Sequence, residues 1–179
     1  FAPQLDVRLS NLSGRFNLEQ EGIDAALVHG NTEEWQDYYC EKLSEDELVL
    51  VCSPELIAKT NDSNIAQLLK QYPIIEVTNE RRKNDWNVWQ NATGILRPKS
   101  KKPITFNMSI QAVQATTRRL GLLVTHRLFV KDDIKYGQLI ELGKPVINPN
   151  QQFYFVCPPH KLKLESFHLL RSWLQQSFN

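Results

Sequence analysis

Small polar side chains follow apolar segments at two places in the second half of the chain. Asn107, Met108 and Ser109 come directly after Phe106, and Thr125 and His126 come directly after residues 122–124. Helix amino termini leave backbone N–H groups unpaired, and such groups together with small polar side chains suit a carboxylate or another polar ligand. The pattern predicts a small-molecule site, although helix capping explains each residue taken separately.

Two similar junctions occur near the start of the chain. Ser10 and Asn11 follow the alternating residues 5–9, and His29 and Gly30 follow the apolar residues 23–28. His29 and His126 are hypothetical ligand contacts, but a histidine at a strand end is more often a hydrogen-bonded surface residue. Neither has an evident activating partner, so the sequence does not favour a catalytic base.

The motifs of common catalytic and metal sites are missing from the sequence. It has only seven glycines, and it contains no glycine-rich phosphate loop, GxSxG or HExxH motif, or metal-spaced pair of His or Cys. The basic residues 81–83 and 97–102 lack interleaved aromatic residues and predict solvated loops. We therefore expect no enzyme, no cofactor and no metal site.

The residues between the polar junctions predict the elements that would position them. Ser109 is the expected N-cap of a helix whose apolar stripe continues to Leu120 and which Gly121 ends. The short apolar run 122–124 predicts a strand that is buried on both faces of a parallel sheet. This is a βαβ unit, and ligands of such sheets bind outside the carboxyl ends of the strands.

Strands and helices alternate along the rest of the chain, which predicts the α/β class. Period-two or apolar runs predict strands at residues 5–9, 23–28, 48–52, 74–77 and 153–156. Helices are expected after Asn11, Ser53 and Ser63, and over residues 85–89. The last helix carries a predicted buried stripe made of Phe167, Leu170, Trp173, Leu174 and Phe178.

Composition limits the class of protein. A hydrophobic content of 41% is enough for a core, and a net charge of +1 gives no overall attraction to nucleic acid or membranes. No apolar run approaches the roughly 20 residues of a membrane-spanning helix, and no signal peptide is visible. Cys40, Cys52 and Cys157 are odd in number and widely spaced, so we expect free thiols in a reducing compartment, the cytoplasm.

Several segments, taken in order, resemble the effector-binding domain of LysR-type transcriptional regulators. They are residues 7–10, 21–27, 48–56, 85–89, 106–109, 114–121, 132–134 and 137–139, and the strand that precedes residues 157–159. Each segment is short, and their order and spacing over nearly the whole chain are the specific signal. The Trp35 loop, the Asp85-Trp86 helix and the Cys52-Ser53-Pro54 segment are most similar to the subgroup of the glycine-cleavage and β-lactamase regulators.

The resemblance implies two αβ subdomains joined by two crossover strands, a fold shared with type 2 periplasmic binding proteins. Subdomain I would comprise residues 1–52 and 153–179, and subdomain II residues 53–152, with a small effector in the cleft between them. The implied effector contacts are Ser10, Asn11, His29, Gly30, Asn107, Met108, Ser109, Thr125 and Phe153. The polar groups at these positions favour an amino acid, a small peptide or a carboxylate.

The resemblance also implies a regulatory function and partners. The effector would shift an oligomer between arrangements, and a winged helix-turn-helix domain upstream of this chain would bind DNA; no membrane partner is expected. A solute-binding protein for a transporter shares the fold and is the alternative. An enzyme on this fold, with His29 or His126 as base, is a third hypothesis.

The chain departs from the family pattern in three places. Family domains open with a strand and a helix ahead of residues 3–7, and we expect the domain here to lack both. Arg119 replaces a frequent glycine, so the end of the preceding helix must differ. Val28 and His29 replace an Arg-Tyr pair that is common in the subgroup, so the contacts that this pair usually makes with a ligand are not expected at this strand end.

Overall fold

A computed structural model describes residues 6–12, 16–58, 60, 64–100 and 102–178. The strands are β1 Ala26–Gly30, β2 Tyr39–Cys52, β3 Ile74–Val77, β4 Ile104–Phe106, β5 Leu122–His126, β6 Ile140–Glu141 and β7 Val146–Cys157. The α-helices are α1 Pro54–Ile57, α2 Ile65–Gln71, α3 Asp85–Thr93, α4 Ser109–Thr117, α5 Arg127–Lys135 and α6 Glu165–Phe178, and 3-10 helices cover Thr32–Trp35 and Pro159–Lys163.

The chain divides into two compact units. Unit 1 combines Phe1–Glu45 with Pro149–Asn179, and unit 2 is the continuous stretch Asp46–Asn148. The chain passes from one unit to the other within β2 and again within β7.

Unit 2 is built on a mixed sheet in which β5 is central. Strand β3 runs parallel to both β5 and β4, and β2 runs antiparallel to β5 and β6. Alternate residues of β5 enter two different cores: Leu122 and Val124 pack with Trp86 and Trp89 of α3, and Leu123 packs with residues of α4 and α5. All five β5 residues are buried, which confirms the predicted strand with two covered faces.

Unit 1 pairs β1 with β7 in antiparallel register. One apolar cluster surrounds Trp35 and includes Leu18, Val28 and Val156, and a second places Phe167 and Leu174 of α6 against Phe155 and Cys157. Arg171 of α6 also donates to Glu41 of β2 at 2.8 Å. The predicted apolar stripe of α6 is wrong at Trp173, which is 53% exposed, because Leu174 beside it occupies the buried position.

The expected strand over residues 5–9 does not form within the described part of that segment. Val7 and Leu9 are 54% and 93% exposed and Leu5 lies outside the described residues. Alternation produces a strand only where a neighbouring strand accepts its hydrogen bonds. The helix expected after Asn11 is also wrong over residues 16–22, in which residues 18–22 form turns and no helix is present.

Helix boundaries follow the sequence signals closely at α1 and less closely elsewhere. Ser53 is the N-cap of α1 and Pro54 its first residue, as predicted. Ser63 lies outside the described residues, and the N-cap of α2 is Asn64, whose side chain accepts from the Ala66 N–H at 2.9 Å. Met108, not Ser109, is the N-cap of α4. Helix α4 ends at Thr117, before the predicted Gly121, and Arg119 adopts a φ of 68°.

The three cysteines are free thiols. Cys52 and Cys157 are buried, and burial raises the pKa of Cys52 to about 11. A thiol with so high a pKa is protonated at neutral pH and is a poor nucleophile. Among the described residues, every helix is too short or too polar to cross a membrane.

Candidate functional site

The turn between β4 and α4 carries three of the predicted ligand contacts. Asn107 and Met108 are exposed and Ser109 is partly buried. Met108 is the N-cap of α4, and its side chain makes no capping hydrogen bond to the first turn. The first backbone N–H groups of α4 therefore lack intrahelical acceptors, and the positive end of the helix is open to an anionic or polar ligand.

Residues that follow β3 hold this turn in place. The Asn79 side-chain amide donates to the Asn107 carbonyl oxygen at 2.9 Å, and the Thr78 backbone N–H donates to the Phe106 carbonyl oxygen at 2.9 Å. Asn79 was missed by the sequence analysis. Its signal was the same as at the other junctions, namely a small polar residue shortly after an apolar strand, Ile74–Val77.

Thr125 lies at the same edge of the sheet as this turn. Strands β3, β4 and β5 are parallel, so their carboxyl ends meet at one edge. Thr125 alternates with Val124 and so shares the α4 side of the sheet with Leu123. It is only 2% exposed, so its hydroxyl lies beneath the surface, unlike Asn107.

Three predicted contacts come together in unit 1. His29 pairs with Phe153 across β1 and β7, and their ring centroids are 4.6 Å apart. Gly30 is the last residue of β1, and a Cβ atom built on it would meet no atom within 4 Å. His29 and Gly30 are therefore part of the strand and do not follow it. Ser10 and Asn11 are exposed and lie outside any helix or strand.

His126 occupies a buried polar cluster within unit 2 and not the surface position expected of it. Its side chain is 1% exposed, with Nδ1 2.6 Å from Asp46 Oδ1 and Nε2 3.0 Å from Asp85 Oδ2. Arg82 Nη1 lies 2.7 Å from the same Nε2. The Asn148 amide donates to the other oxygen of Asp46 at 2.8 Å. The cluster links β5, β2, α3 and β7.

Opposing effects determine the charge of His126. Burial lowers the pKa of its imidazole and the Arg82 charge lowers it further, but hydrogen bonds to Asp46 and Asp85 outweigh both, so the net pKa is raised. A protonated His126 and Arg82 together balance the two carboxylates, whereas a neutral ring would leave a buried negative charge. The raised pKa therefore favours the cation more in the fold than in the unfolded chain.

The arrangement is suited to binding and offers little for catalysis. His126 has two carboxylate partners but is closed off from solvent, so it is not available as a base for a substrate. The exposed groups at the edge of unit 2 are amides, a hydroxyl and backbone N–H groups. Such groups orient a polar ligand by hydrogen bonds without activating a nucleophile.

Comparison with known proteins identifies relatives along nearly the whole chain. Residues 2–179 match the family model described as LysR substrate binding domain. The glycine cleavage system transcriptional activator of Escherichia coli K12 is 22% identical over 172 residues, which are 96% of this chain and 55% of that protein. Its homolog in Haemophilus influenzae is 25% identical over 175 residues, or 98% of this chain and 56% of the relative.

A solved structure shows the same fold. The effector domain of the transcriptional regulator AmpR of Pseudomonas aeruginosa superposes with a TM-score of 0.73 at 21% identity, covering 99% of this chain and 82% of the other. The predicted two-subdomain α/β fold class is thereby confirmed. The chain spans about half the length of the curated relatives that it matches.

Proposed function

The chain belongs to the LysR substrate-binding domain family, and on this basis we propose that it is the ligand-sensing domain of a LysR-type transcriptional regulator. The observation that carries the proposal is the match of the family model to residues 2–179. The relatives are named as transcriptional activators, which favours a regulator that performs no chemistry over the alternatives of a transport protein or an enzyme.

We assign the effector contacts residue by residue. In unit 2 they are Asn107, Met108, Ser109 and Thr125, and in unit 1 they are Ser10, Asn11, His29, Gly30 and Phe153. The support in unit 2 is the first turn of α4, to which the Met108 side chain makes no capping hydrogen bond and which Asn79 holds at an exposed sheet edge. The groups there favour an amino acid, a small peptide or a carboxylate, because N–H donors outnumber fixed charges.

The whole protein would couple this domain to DNA. We propose that a winged helix-turn-helix domain upstream binds DNA, that the protein is an oligomer, and that it acts in the cytoplasm. The subdomains would be residues 1–52 with 153–179, and residues 53–152. An effector would shift the oligomer from one arrangement to another only if it binds one arrangement more tightly than the other.

Thermal unfolding against a panel of amino acids, small peptides and carboxylates tests the proposal. A ligand at about 100 times its Kd adds about 2.7 kcal/mol, or several degrees for a domain of this size. Ser109→Ala and Asn107→Ala should reduce the shift, whereas Ser172→Ala, at an exposed position of α6, should retain it. No shift with any compound, or a shift that both site variants retain, would reject the assignment.

A further inference from the structure

One ring nitrogen of His126 has two partners that require opposite roles from it. Nε2 lies 3.0 Å from Asp85 Oδ2 and 2.7 Å from Arg82 Nη1. A guanidinium group only donates and an ionised carboxylate only accepts, so Nε2 cannot bond to both partners at once. The other nitrogen, Nδ1, lies 2.6 Å from Asp46 Oδ1 and can donate to it in either protonation state of the ring.

Protonation of His126 therefore selects between the two contacts of Nε2. In a neutral ring with its proton on Nδ1, Nε2 is an acceptor and takes a hydrogen bond from Arg82. In the protonated ring, Nε2–H donates to Asp85, and the charge of the ring repels the Arg82 guanidinium. Arg82 and Asp85 are both buried, so solvent screens this repulsion only weakly.

Charged groups face His126 from three segments of unit 2. Asp46 belongs to β2, Asp85 is the first residue of α3, and Arg82 lies in residues 78–84, which we call the β3–α3 connection. Helix α5 contributes the uncharged ring of Phe129, whose centroid is 5.2 Å from that of the imidazole and 5.3 Å from Arg82 Cζ. Connections shift more readily than strands and helices, so Arg82 is the partner that we expect to move.

The β3–α3 connection joins Arg82 to the turn at residues 107–109. The Arg82 N–H donates to the Asn79 carbonyl oxygen at 3.0 Å, and the Arg81 N–H donates to Asn79 Oδ1 at 3.1 Å. The Asn79 side-chain amide in turn donates to the Asn107 carbonyl oxygen at 2.9 Å. A displacement of Arg82 is thus passed through Asn79 to the backbone of the turn, by a continuous series of hydrogen bonds.

We propose that Arg82 is a positioning residue for the turn at residues 107–109, and that the protonation state of His126 sets its place. The inference rests on the proposed function, which assigns this turn to the effector. A neutral His126 holds Arg82 at Nε2, and a protonated His126 displaces it together with Asn79. The contacts that unit 2 offers to an effector therefore change with proton uptake by a group that no effector touches.

Nuclear magnetic resonance of the chain without any effector tests this path, from about pH 5 to about pH 9, a range that includes the ordinary histidine pKa of 6.5. The Met108 N–H follows the Asn107 carbonyl, and we expect its signal to shift with the same midpoint as the His126 ring. Asn79→Ala should abolish this shift at Met108 and keep the titration of the ring. Asn87→Ala, at an exposed position of α3, should keep both.

Histidine variants identify the titrating group. His126→Gln should abolish the shift at Met108, whereas His29→Gln and His168→Gln should keep it. Asn79→Ala leaves the buried cluster intact, so it decides the question even if His126→Gln does not fold. The proposal is wrong if Met108 shows no shift at the midpoint of His126, or if Asn79→Ala retains that shift. Since no effector is present, a failure of the ligand screen would leave this result unchanged.

Discussion

Burial determines which contacts a side chain can make, and His126 is the clearest case. From its position after an apolar strand it resembled a surface ligand contact, yet it is 1% exposed and lies between two carboxylates. Because its pKa is raised, the folded chain binds the proton more tightly than the unfolded chain does, so protonation of His126 stabilises the fold. The cluster therefore makes the fold sensitive to pH.

We expect His126→Gln to lower the free energy of unfolding by about 3 kcal/mol at pH 6, because it leaves one cation facing two buried carboxylates. The stabilisation by protonated His126 is complete below its ordinary pKa of 6.5 and is lost as pH rises through the raised pKa of the folded state. The difference in unfolding free energy between the parent chain and His126→Gln should thus become smaller at high pH. Urea unfolding at several pH values measures it.

The control for this prediction is His168→Gln, at an exposed position of α6. Its unfolding free energy should follow that of the parent chain at every pH. A gap between the parent and His126→Gln that widens with rising pH would show that His126 is neutral in the fold.

At the scale of elements, the connection from α4 to β5 depends on backbone geometry. Arg119 has a φ of 68°, a left-handed conformation that favours glycine, the residue that resembling family members often have there. Gly121 follows, with no room for a side chain. The position with the left-handed backbone therefore holds an arginine, and the position without room for a Cβ atom holds a glycine.

Arg119→Gly should raise the free energy of unfolding by about 0.5–1 kcal/mol, because it relieves the left-handed strain. The variant also loses an exposed ion pair between Arg119 and Glu55, which offsets little of the gain. Arg119→Ala loses the same ion pair but keeps a Cβ atom, so it should give no gain. Urea denaturation of the parent chain, Arg119→Gly and Arg119→Ala measures these differences. Equal stability of the two variants would contradict the role of the left-handed φ.

Gly121→Ala should destabilise the chain by about 3 kcal/mol, at the upper end of the usual cost of overpacking. Its Cβ would lie 2.5 Å from the Pro73 carbonyl oxygen, which also accepts the Leu122 N–H at 2.9 Å. Backbone atoms cannot rotate away as a flexible side chain can. Gly30→Ala, which meets no atom within 4 Å, is the matched control and should change thermal stability by less than about 0.5 kcal/mol. Similar melting temperatures for both variants would refute the close approach.

At the scale of the whole molecule, the two units differ in how the chain builds them. Unit 2 is one continuous stretch with two apolar clusters of its own, whereas unit 1 needs both ends of the chain. Helix α6 supplies Phe167 and Leu174 to a core cluster that also contains Phe155 of β7. Damage to α6 should therefore affect unit 1 first.

Leu174→Ala should lower stability by about 2–5 kcal/mol, since it leaves a cavity in the core of unit 1. Trp173→Ala, at the exposed neighbouring position, should cost less than about 1 kcal/mol. Amide hydrogen exchange should show the loss of protection in β1 and α6 and not in β3 and β5. An equal loss of protection in both units would contradict separate cores.

The sequence alone determined the elements whose signals are local. Strand β5, the Ser53-Pro54 start of α1 and the α3 tryptophans follow from periodicity and capping, which depend on neighbours within a few residues. The order of such segments also identified the family. Only the tertiary structure decided that residues 6–9 form no strand, that Trp173 is exposed, and that His126 meets Asp46 and Asp85. Strand pairing, burial and ion pairing join groups that are distant in the chain. A local sequence pattern depends only on neighbouring residues, so it does not specify which distant group will be the partner.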